Sequence, residues 1–320
     1  MPGTAFLPNV PLRFGLVLGL GLLALLPACD RIYDLRTLPD AEVVPDPEAP
    51  PPTEDSLAMM EYFAAVEVGQ KSRGLLRLDG GGPDTPYDDR QLAQTFRATA
   101  FAREFTDQGS KLVRKEGTSR LHRWEDPVLI QARFGASVSE RQRGDDRAAI
   151  QRTADRLASA TGHPVRLVDG GGNFHVLVLS EDERRAIGPT LLRLLPDIRP
   201  QEIEVVENLD RATYCVVIAS DPRNDGVLTR AVAVVRAELP PVLRLSCFHE
   251  EIAQGLGLAN DSQSARPSIF NDNDEFARLT TMDEKMLKML YDLRLTPGMD
   301  AESAAPIVNS LARSLTASTL

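Results

Sequence analysis

The strongest constraint on the fold is an alternation of short apolar runs with longer amphipathic segments, which begins near residue 120. Apolar runs in PVLIQARFGA, FHVLVLS, ATYCVVIAS and VLTRAVAVV predict strands. Between the first two, DDRAAIQRTADRLASATG predicts a helix with Ile150, Ala154 and Leu157 on its buried face. A long apolar helix follows the last strand. This order predicts an α+β fold with α/β-like alternation, in which a mixed twisted sheet packs against a central helix.

Two further helices are predicted before this region, because apolar residues recur at helical spacing over residues 56–70 and 89–106. They define an N-terminal helical segment at 56–118, which precedes a main domain at 119–300. Residues 301–320 are mostly small and polar, with only a weak helical pattern. This composition predicts a flexible C-terminal tail.

The first 28 residues predict an export signal rather than part of the fold. Arg13 precedes the uncharged run FGLVLGLGLLALL and the small residues of LPAC. The run is shorter than the roughly 20 apolar residues of a membrane-spanning helix. LPAC resembles the bacterial lipobox, which predicts lipidation of Cys29 and a protein anchored to a membrane of the cell envelope, facing the periplasm. A plain secretory signal in which Cys29 has no role is the alternative.

Residues 29–55 are predicted to be a tether. The stretch AEVVPDPEAPPPTED is acidic and rich in proline, so it cannot bury enough apolar surface to offset the entropy of ordering. The net charge of the whole chain is −10, which argues against nucleic acid or anionic lipid as a partner.

The chain contains three cysteines. If Cys29 is lipidated, Cys215 and Cys247 remain as a pair in an exported, oxidising setting, where a disulfide between them is the natural inference. Two buried free thiols are the alternative. Cys247 lies two residues before His249, so the bridge would fix the start of the helix that carries the His-Glu pair.

The segment LSCFHEEIAQGLGLAND joins this His-Glu pair to an apolar helix and a Gly-Leu turn. Zinc hydrolases with such a helix carry two ligands four residues apart on one face, and a glutamate beside the first activates water. Ala253 occupies the fourth position after His249 and cannot bind a metal. Gln254, at the fifth position, lies about 140° around a regular helix, so it converges with His249 only through a π-bulge.

With such a bulge, His249 and Gln254 are candidate metal ligands and Glu250 is the candidate catalytic base. Asn260 and Asp261 follow the Gly-Leu turn and are candidates for a further ligand. The expected metal is zinc, although an amide oxygen is a poor zinc donor compared with imidazole.

A structural explanation of the same helix is also open. Glu250 and Glu251 near a helix N-terminus are favoured by the helix dipole. Ile252, Leu256 and Leu258 have the spacing of a buried face. On this interpretation the helix needs no metal.

The strings CFHEEIAQGLGLANDS, SIFND, LTTMDEKMLKMLYDLRLTPGM and GLLRLDGGGPDTPYD resemble a family of uncharacterised exported lipoproteins of Gram-negative bacteria, defined by a domain of unknown function. The resemblance spans about residues 57–300. That family is in turn distantly similar to zinc metallopeptidases of the metzincin type, which implies a zincin-like domain. By this resemblance, His249 matches the first zinc ligand and Glu250 the general base. Gln254 stands near the second ligand, and Asn260 or Asp261 near the third.

Two functions follow from these observations. The first is a non-catalytic cell-envelope protein, whose zincin-like cleft binds an envelope protein or peptide by strand addition without cleaving it. The alternative is a metal-dependent peptidase, in which Glu250 deprotonates a water bound to zinc.

Overall fold

The computed structural model describes residues 50–108, 111–271 and 273–317. The predicted signal peptide, Cys29 and most of the predicted tether lie outside these residues. The helices are α1 (Glu54–Ser72), α2 (Asp89–Ala100), α3 (Glu140–Thr161), α4 (Glu181–Arg185), α5 (Gly188–Leu194), α6 (Pro200–Glu207), α7 (Pro241–Gln254), α8 (Thr281–Leu290) and α9 (Ala301–Ala317). The strands are β1 (Ala102–Gln108), β2 (Lys111–Thr118), β3 (Arg123–Trp124), β4 (Val128–Phe134), β5 (Val165–Leu167), β6 (Phe174–Leu179), β7 (Cys215–Ser220), β8 (Val227–Leu228) and β9 (Arg230–Arg236).

A five-stranded sheet with the strand order β5-β4-β6-β9-β7 forms the centre of the molecule. Strands β5, β4, β6 and β9 are parallel, whereas β7 pairs antiparallel with β9 and lies at the edge. Short connections lead from β7 through β8 to β9, and α7 follows directly. The predicted α+β class with a mixed sheet is confirmed.

Both faces of this sheet are covered, which explains why β6 buries all six of its residues. Val176 and Val178 face a core that they share with α3, α7 and α8. Leu177 and Leu179 point the other way, into a second core built with α5 and α6. Helix α7 therefore packs on one face of the sheet and α6 on the other, with the edge strand β7 between them.

Residues 101–118 differ from the prediction. Helix α2 ends at Ala100, six residues earlier than predicted, and the chain then forms an antiparallel hairpin of β1 and β2. Phe96 and Thr99 lie on the buried stripe of α2. The next position on that stripe is Arg103, so a longer helix would place a charged side chain, not an apolar one, on its buried face.

The C-terminal region is also more ordered than predicted. Instead of a flexible tail over 301–320, helix α9 extends from Ala301 to Ala317. Ala304, Val308 and Leu311 are buried at helical spacing, and α9 packs against α2. Small side chains make this pattern weak in the sequence, and tertiary packing supplies the stability that local propensity lacks.

Helix α1 contributes directly to the position of α7. Met59, Phe63 and Glu67 lie on its buried face. One carboxylate oxygen of Glu67 accepts hydrogen bonds from the backbone amides of Val242 and Leu243, each over 3.2 Å. Helix α7 has no side-chain cap of its own, so the N-terminal amides that a helix leaves unsatisfied are bonded by a residue far away in the sequence.

We predict that Glu67→Ala lowers the free energy of unfolding by about 1–2 kcal/mol, because two amides at a helix N-terminus, one buried and one partly buried, lose a charged acceptor. Urea denaturation of the purified chain measures this loss. Glu61→Ala is the matched control, because Glu61 is exposed on the same helix, and a change within about 0.5 kcal/mol is expected. Equal losses in the two variants would contradict the capping role.

Candidate functional site

Helix α7 carries the His-Glu pair and is fixed at both ends. Pro241 at its first position lacks an N–H that would otherwise need an acceptor. At the other end, Trp124 Nε1 donates to the carbonyl of Gly255 over 2.8 Å. The hydroxyl of Tyr291 donates to the carbonyl of Leu256 over 3.1 Å. These two bonds satisfy carbonyls that the end of a helix leaves open.

Close packing explains the Gly-Leu-Gly turn that follows. Gly257 has φ of +125°, and a Cβ at this position would lie 2.0 Å from the carbonyl oxygen of His122. A Cβ at Gly255 would lie 2.4 Å from the ring of Phe174. The two glycines are therefore required by neighbouring backbone and ring atoms, whether or not a metal is bound.

The disulfide between Cys215 and Cys247 is present, as predicted. It joins the first residue of β7 to the middle of α7, with 5.9 Å between the two Cα atoms. The bridge therefore ties the edge strand of the sheet to the helix that carries the His-Glu pair.

The carboxylates of Glu250 and Glu251 lie beside this bridge. Their oxygens and Sγ of Cys215 are all within 4.8 Å of one another, and the described residues contain no other such group of three His, Cys, Asp or Glu side chains. Because Cys215 is bonded to Cys247, its sulfur is not the thiolate that binds metals. Two carboxylates without a third ligand do not make a zinc site of the expected type.

His249 lies in a different environment from these carboxylates. Its side chain is 3% exposed, and Nδ1 has no hydrogen-bond partner among the described residues. Burial, together with the positive charges of Arg156, Arg278 and Arg152, lowers the pKa of His249 to about 3, and burial is the largest of these causes. The imidazole is thus neutral, but three nearby arginines oppose a cation at this position.

The side chain of Gln254 forms a hydrogen bond with Asp261 rather than converging with His249. Gln254 Nε2 donates to Oδ1 of Asp261 over 2.7 Å. Asn260 uses Nδ2 to donate to the carbonyls of Ala98 and Asp261, over 3.0 and 2.7 Å. The amide nitrogens of Gln254 and Asn260 are thus both engaged as donors, and the carboxylate of Asp261 accepts from Gln254.

The helix itself keeps His249 and Gln254 apart. Helix α7 is α-helical as far as Gln254, and the amide of Gly255 donates to the carbonyl of Glu251, so the ladder continues without a π-bulge. His249 and Gln254 remain about 140° apart around the helix axis. The common ligand set that we expected for zinc, with Glu250 as its base, is therefore not assembled in this geometry.

A cleft of about 260 Å³ runs along the edge of β7. The first part of its lining is the strand itself, from Val216 to Ala219. The base of the hairpin contributes Arg103 and Ser119, and the N-terminal part of α6 with the residue before it contributes Arg199, Glu202 and Val205. The segments around β3 and β8 contribute His122, Asp221 and Leu228, and the end of α7 with the turn after it contributes Gln254, Gly257 and Ala259. Gln254 is thus a cleft residue, although the expected role as a zinc ligand is not supported.

Comparison with protein families gives one match. Residues 89–310 match the model of a family described as a protein of unknown function, DUF2927. The chain belongs to the DUF2927 family. The expected membership of a family defined by a domain of unknown function is therefore confirmed. Searches of curated proteins and of solved structures found no significant match.

The DUF2927 region contains the whole five-stranded sheet, α7 and the cleft, whereas α1 with the capping residue Glu67 precedes it. Within the part of the chain that the structure describes, no helix is both long and apolar enough to cross a membrane.

Sequence reasoning missed the role of Asp283, whose carboxylate holds the loop between α7 and α8 against the start of α8. Two overlapping pairs at the start of α8 have capping-box spacing, Thr281 with Glu284 and Thr280 with Asp283, and the structure uses the second pair. Asp283 is fully buried and accepts hydrogen bonds from the amide and hydroxyl of Thr280, the hydroxyl of Ser268 and the amide of Ile269. Both pairs fit the capping spacing, and only tertiary contacts decide between them.

Proposed function

We propose that this protein is a cell-envelope lipoprotein whose DUF2927 domain binds an extended peptide segment of an envelope protein along β7, without cleaving it. The observation that carries this proposal is the position of β7. Among the described strands, only β9 pairs with it, and its other edge borders the cleft. An unpaired edge presents backbone N–H and C=O groups at the spacing that an added strand requires.

The disulfide supports the binding role. It holds the start of β7 against α7, so the backbone groups of the edge are ordered before a partner arrives. A preorganised edge loses less conformational entropy on binding than a mobile one does. The bridge also suits an oxidising compartment outside the cytoplasm.

The proposed location in the cell envelope is supported by the sequence. The LPAC motif supports lipidation at Cys29 and attachment to a membrane on the periplasmic side. The order of strands before α7 supports a zincin-like architecture by analogy alone. The geometry around His249 is the reason for preferring binding to hydrolysis.

Alternate N-methylation of a bound peptide tests strand addition. Peptides selected from a random displayed library against the purified full chain would be resynthesised with one backbone N-methyl group at each position in turn. We expect a loss of about tenfold or more at every second position and little change between them, because alternate amides of an added strand face β7. Binding that shows no two-residue period would contradict the proposal.

The metal content of the same preparation tests the alternative. We expect no stoichiometric zinc in the wild type or in His249→Ala, and we expect bound peptides to be recovered intact. Stoichiometric zinc that disappears in His249→Ala, together with peptide cleavage that disappears in Glu250→Gln, would instead establish the metal-dependent peptidase.

A further inference from the structure

The two sides of the β7 edge differ in chemistry. Alternate side chains of a strand point to opposite faces of the sheet. Val216 and Ile218 pack with the core on the α6 face, whereas Cys215 and Val217 pack with the core on the α7 face. The cleft borders both groups. A peptide strand added to β7 would place its own side chains alternately against these two faces.

The α6 face offers an apolar contact. Val205 lines the cleft there together with Val216 and Ile218. The two charged residues beside them are bonded to each other, with Arg199 Nη2 donating to Glu202 Oε1 over 2.8 Å. An apolar side chain fits this face, because it buries area against the valines and isoleucine and leaves the ion pair intact.

The α7 face offers a hydrogen-bond acceptor among small residues. The carboxylate of Asp261 only accepts, so Gln254 must direct Nε2 towards it. This orientation leaves Oε1 of Gln254 as an acceptor, and no described residue donates to it. Gly257 and Ala259 complete this side of the cleft and leave space for a small side chain.

A positive charge completes the lining. Arg103 at the base of the hairpin is exposed, lines the cleft and forms no ion pair with the described residues. A carboxylate on the partner is complementary to this charge. Elsewhere in the lining, the ring of His122 lies 3.5 Å from the carboxylate of Asp221.

We infer that the cleft selects extended segments in which an apolar side chain alternates with a small hydrogen-bond donor such as Ser or Thr, near an acidic residue. In such a complex, Oε1 of Gln254 accepts a hydrogen bond from the Ser or Thr side chain. This inference rests on the proposed function. It assigns Gln254 and Asp261 a role in specificity: Asp261 orients the amide of Gln254, and the amide oxygen accepts from the peptide.

A double-mutant cycle between protein and peptide tests the inference. A selected peptide with Thr at the α7-facing position is compared with its Val analogue, on the wild type and on Gln254→Met. We expect the Val analogue to bind the wild type about fivefold more weakly, from the loss of one neutral hydrogen bond, and to bind Gln254→Met no more weakly than the Thr peptide does.

Gln263→Met is the matched control, because Gln263 is exposed and lies outside the cleft lining. It should keep the fivefold preference for Thr. Equal preferences in Gln254→Met and Gln263→Met would overturn the inference, while the period of the N-methyl scan would still decide the proposed function.

The wild type alone supplies a second readout, which is needed if Gln254→Met does not fold. Sequences of the selected peptides should be enriched in Ser or Thr at one set of alternate positions, in apolar residues at the other set, and in acidic residues nearby. If N-methylation weakens binding at every second position but the selected peptides lack this enrichment, the inference is overturned. Strand addition to β7 would still be supported.

Discussion

Replacing Asp283 with alanine is expected to lower the free energy of unfolding by about 3–5 kcal/mol. Its carboxylate accepts from Ser268 Oγ over 2.5 Å, from the amide of Ile269 over 3.1 Å, and from the amide and hydroxyl of Thr280 over 2.7 and 2.9 Å. All of these donors are buried, and alanine offers them no acceptor. Water cannot replace the carboxylate without opening the packing around α8.

Urea denaturation of the purified chain measures this effect. Glu284→Ala is the matched control, because Glu284 is the next residue of α8 and its side chain is about one-third exposed in an ion pair with Arg156. That pair is worth at most about 1 kcal/mol. A loss in Asp283→Ala no larger than the loss in Glu284→Ala would show that the buried hydrogen bonds do not hold α8 to the preceding loop.

Removing the disulfide is expected to lower the free energy of unfolding by about 3–4 kcal/mol, through the loop-closure entropy of the unfolded chain. The two cysteines are separated by 32 positions in the sequence. Because the bridge also joins the edge strand to α7, its loss should weaken the proposed peptide binding as well as stability. Cys215→Ala with Cys247→Ala gives the variant without a bridge, and denaturation in the absence of reductant gives the comparison with the wild type.

Reductant provides the control for this second prediction. A dithiol should lower the stability of the wild type towards that of the double variant and should leave the double variant unchanged. If the wild type and the double variant have the same unfolding midpoint under oxidising conditions, the bridge does not contribute to the stability of the folded state.

The fold was predictable where the sequence pattern is local and strong. The apolar runs that form β4, β6, β7 and β9 are bounded by turn residues, and α3 between them has a clear amphipathic stripe. The disulfide followed from the two cysteines that remain if Cys29 is lipidated in the predicted oxidising setting. The alternation before α7 was therefore sufficient for the α+β class and for the mixed sheet.

Features that depend on partners far away in the sequence were not predictable. The order of α9 depends on its packing against α2, and residue type alone does not reveal that packing. The capping of α7 by Glu67 joins residues about 175 positions apart. No motif connects them.

The candidate site shows the same limit. The sequence places His249, Gln254 and Asp261 close together along the chain, and a π-bulge would have brought them to one point. The continuous hydrogen-bond ladder of α7 instead turns His249 away from Gln254, and the amide of Gln254 is bonded to Asp261. Proximity along a chain therefore overestimated proximity in space.

The position of α1 has a practical consequence for recombinant work. A fragment cut at the family limits, 89–310, would omit Glu67 and leave the first amides of α7 without their acceptor. It would also omit Phe63, whose ring packs edge-on against Tyr214 immediately before the edge strand. The region that defines the family is thus shorter than the folded unit, which includes α1. A fragment for expression should therefore begin before Glu54.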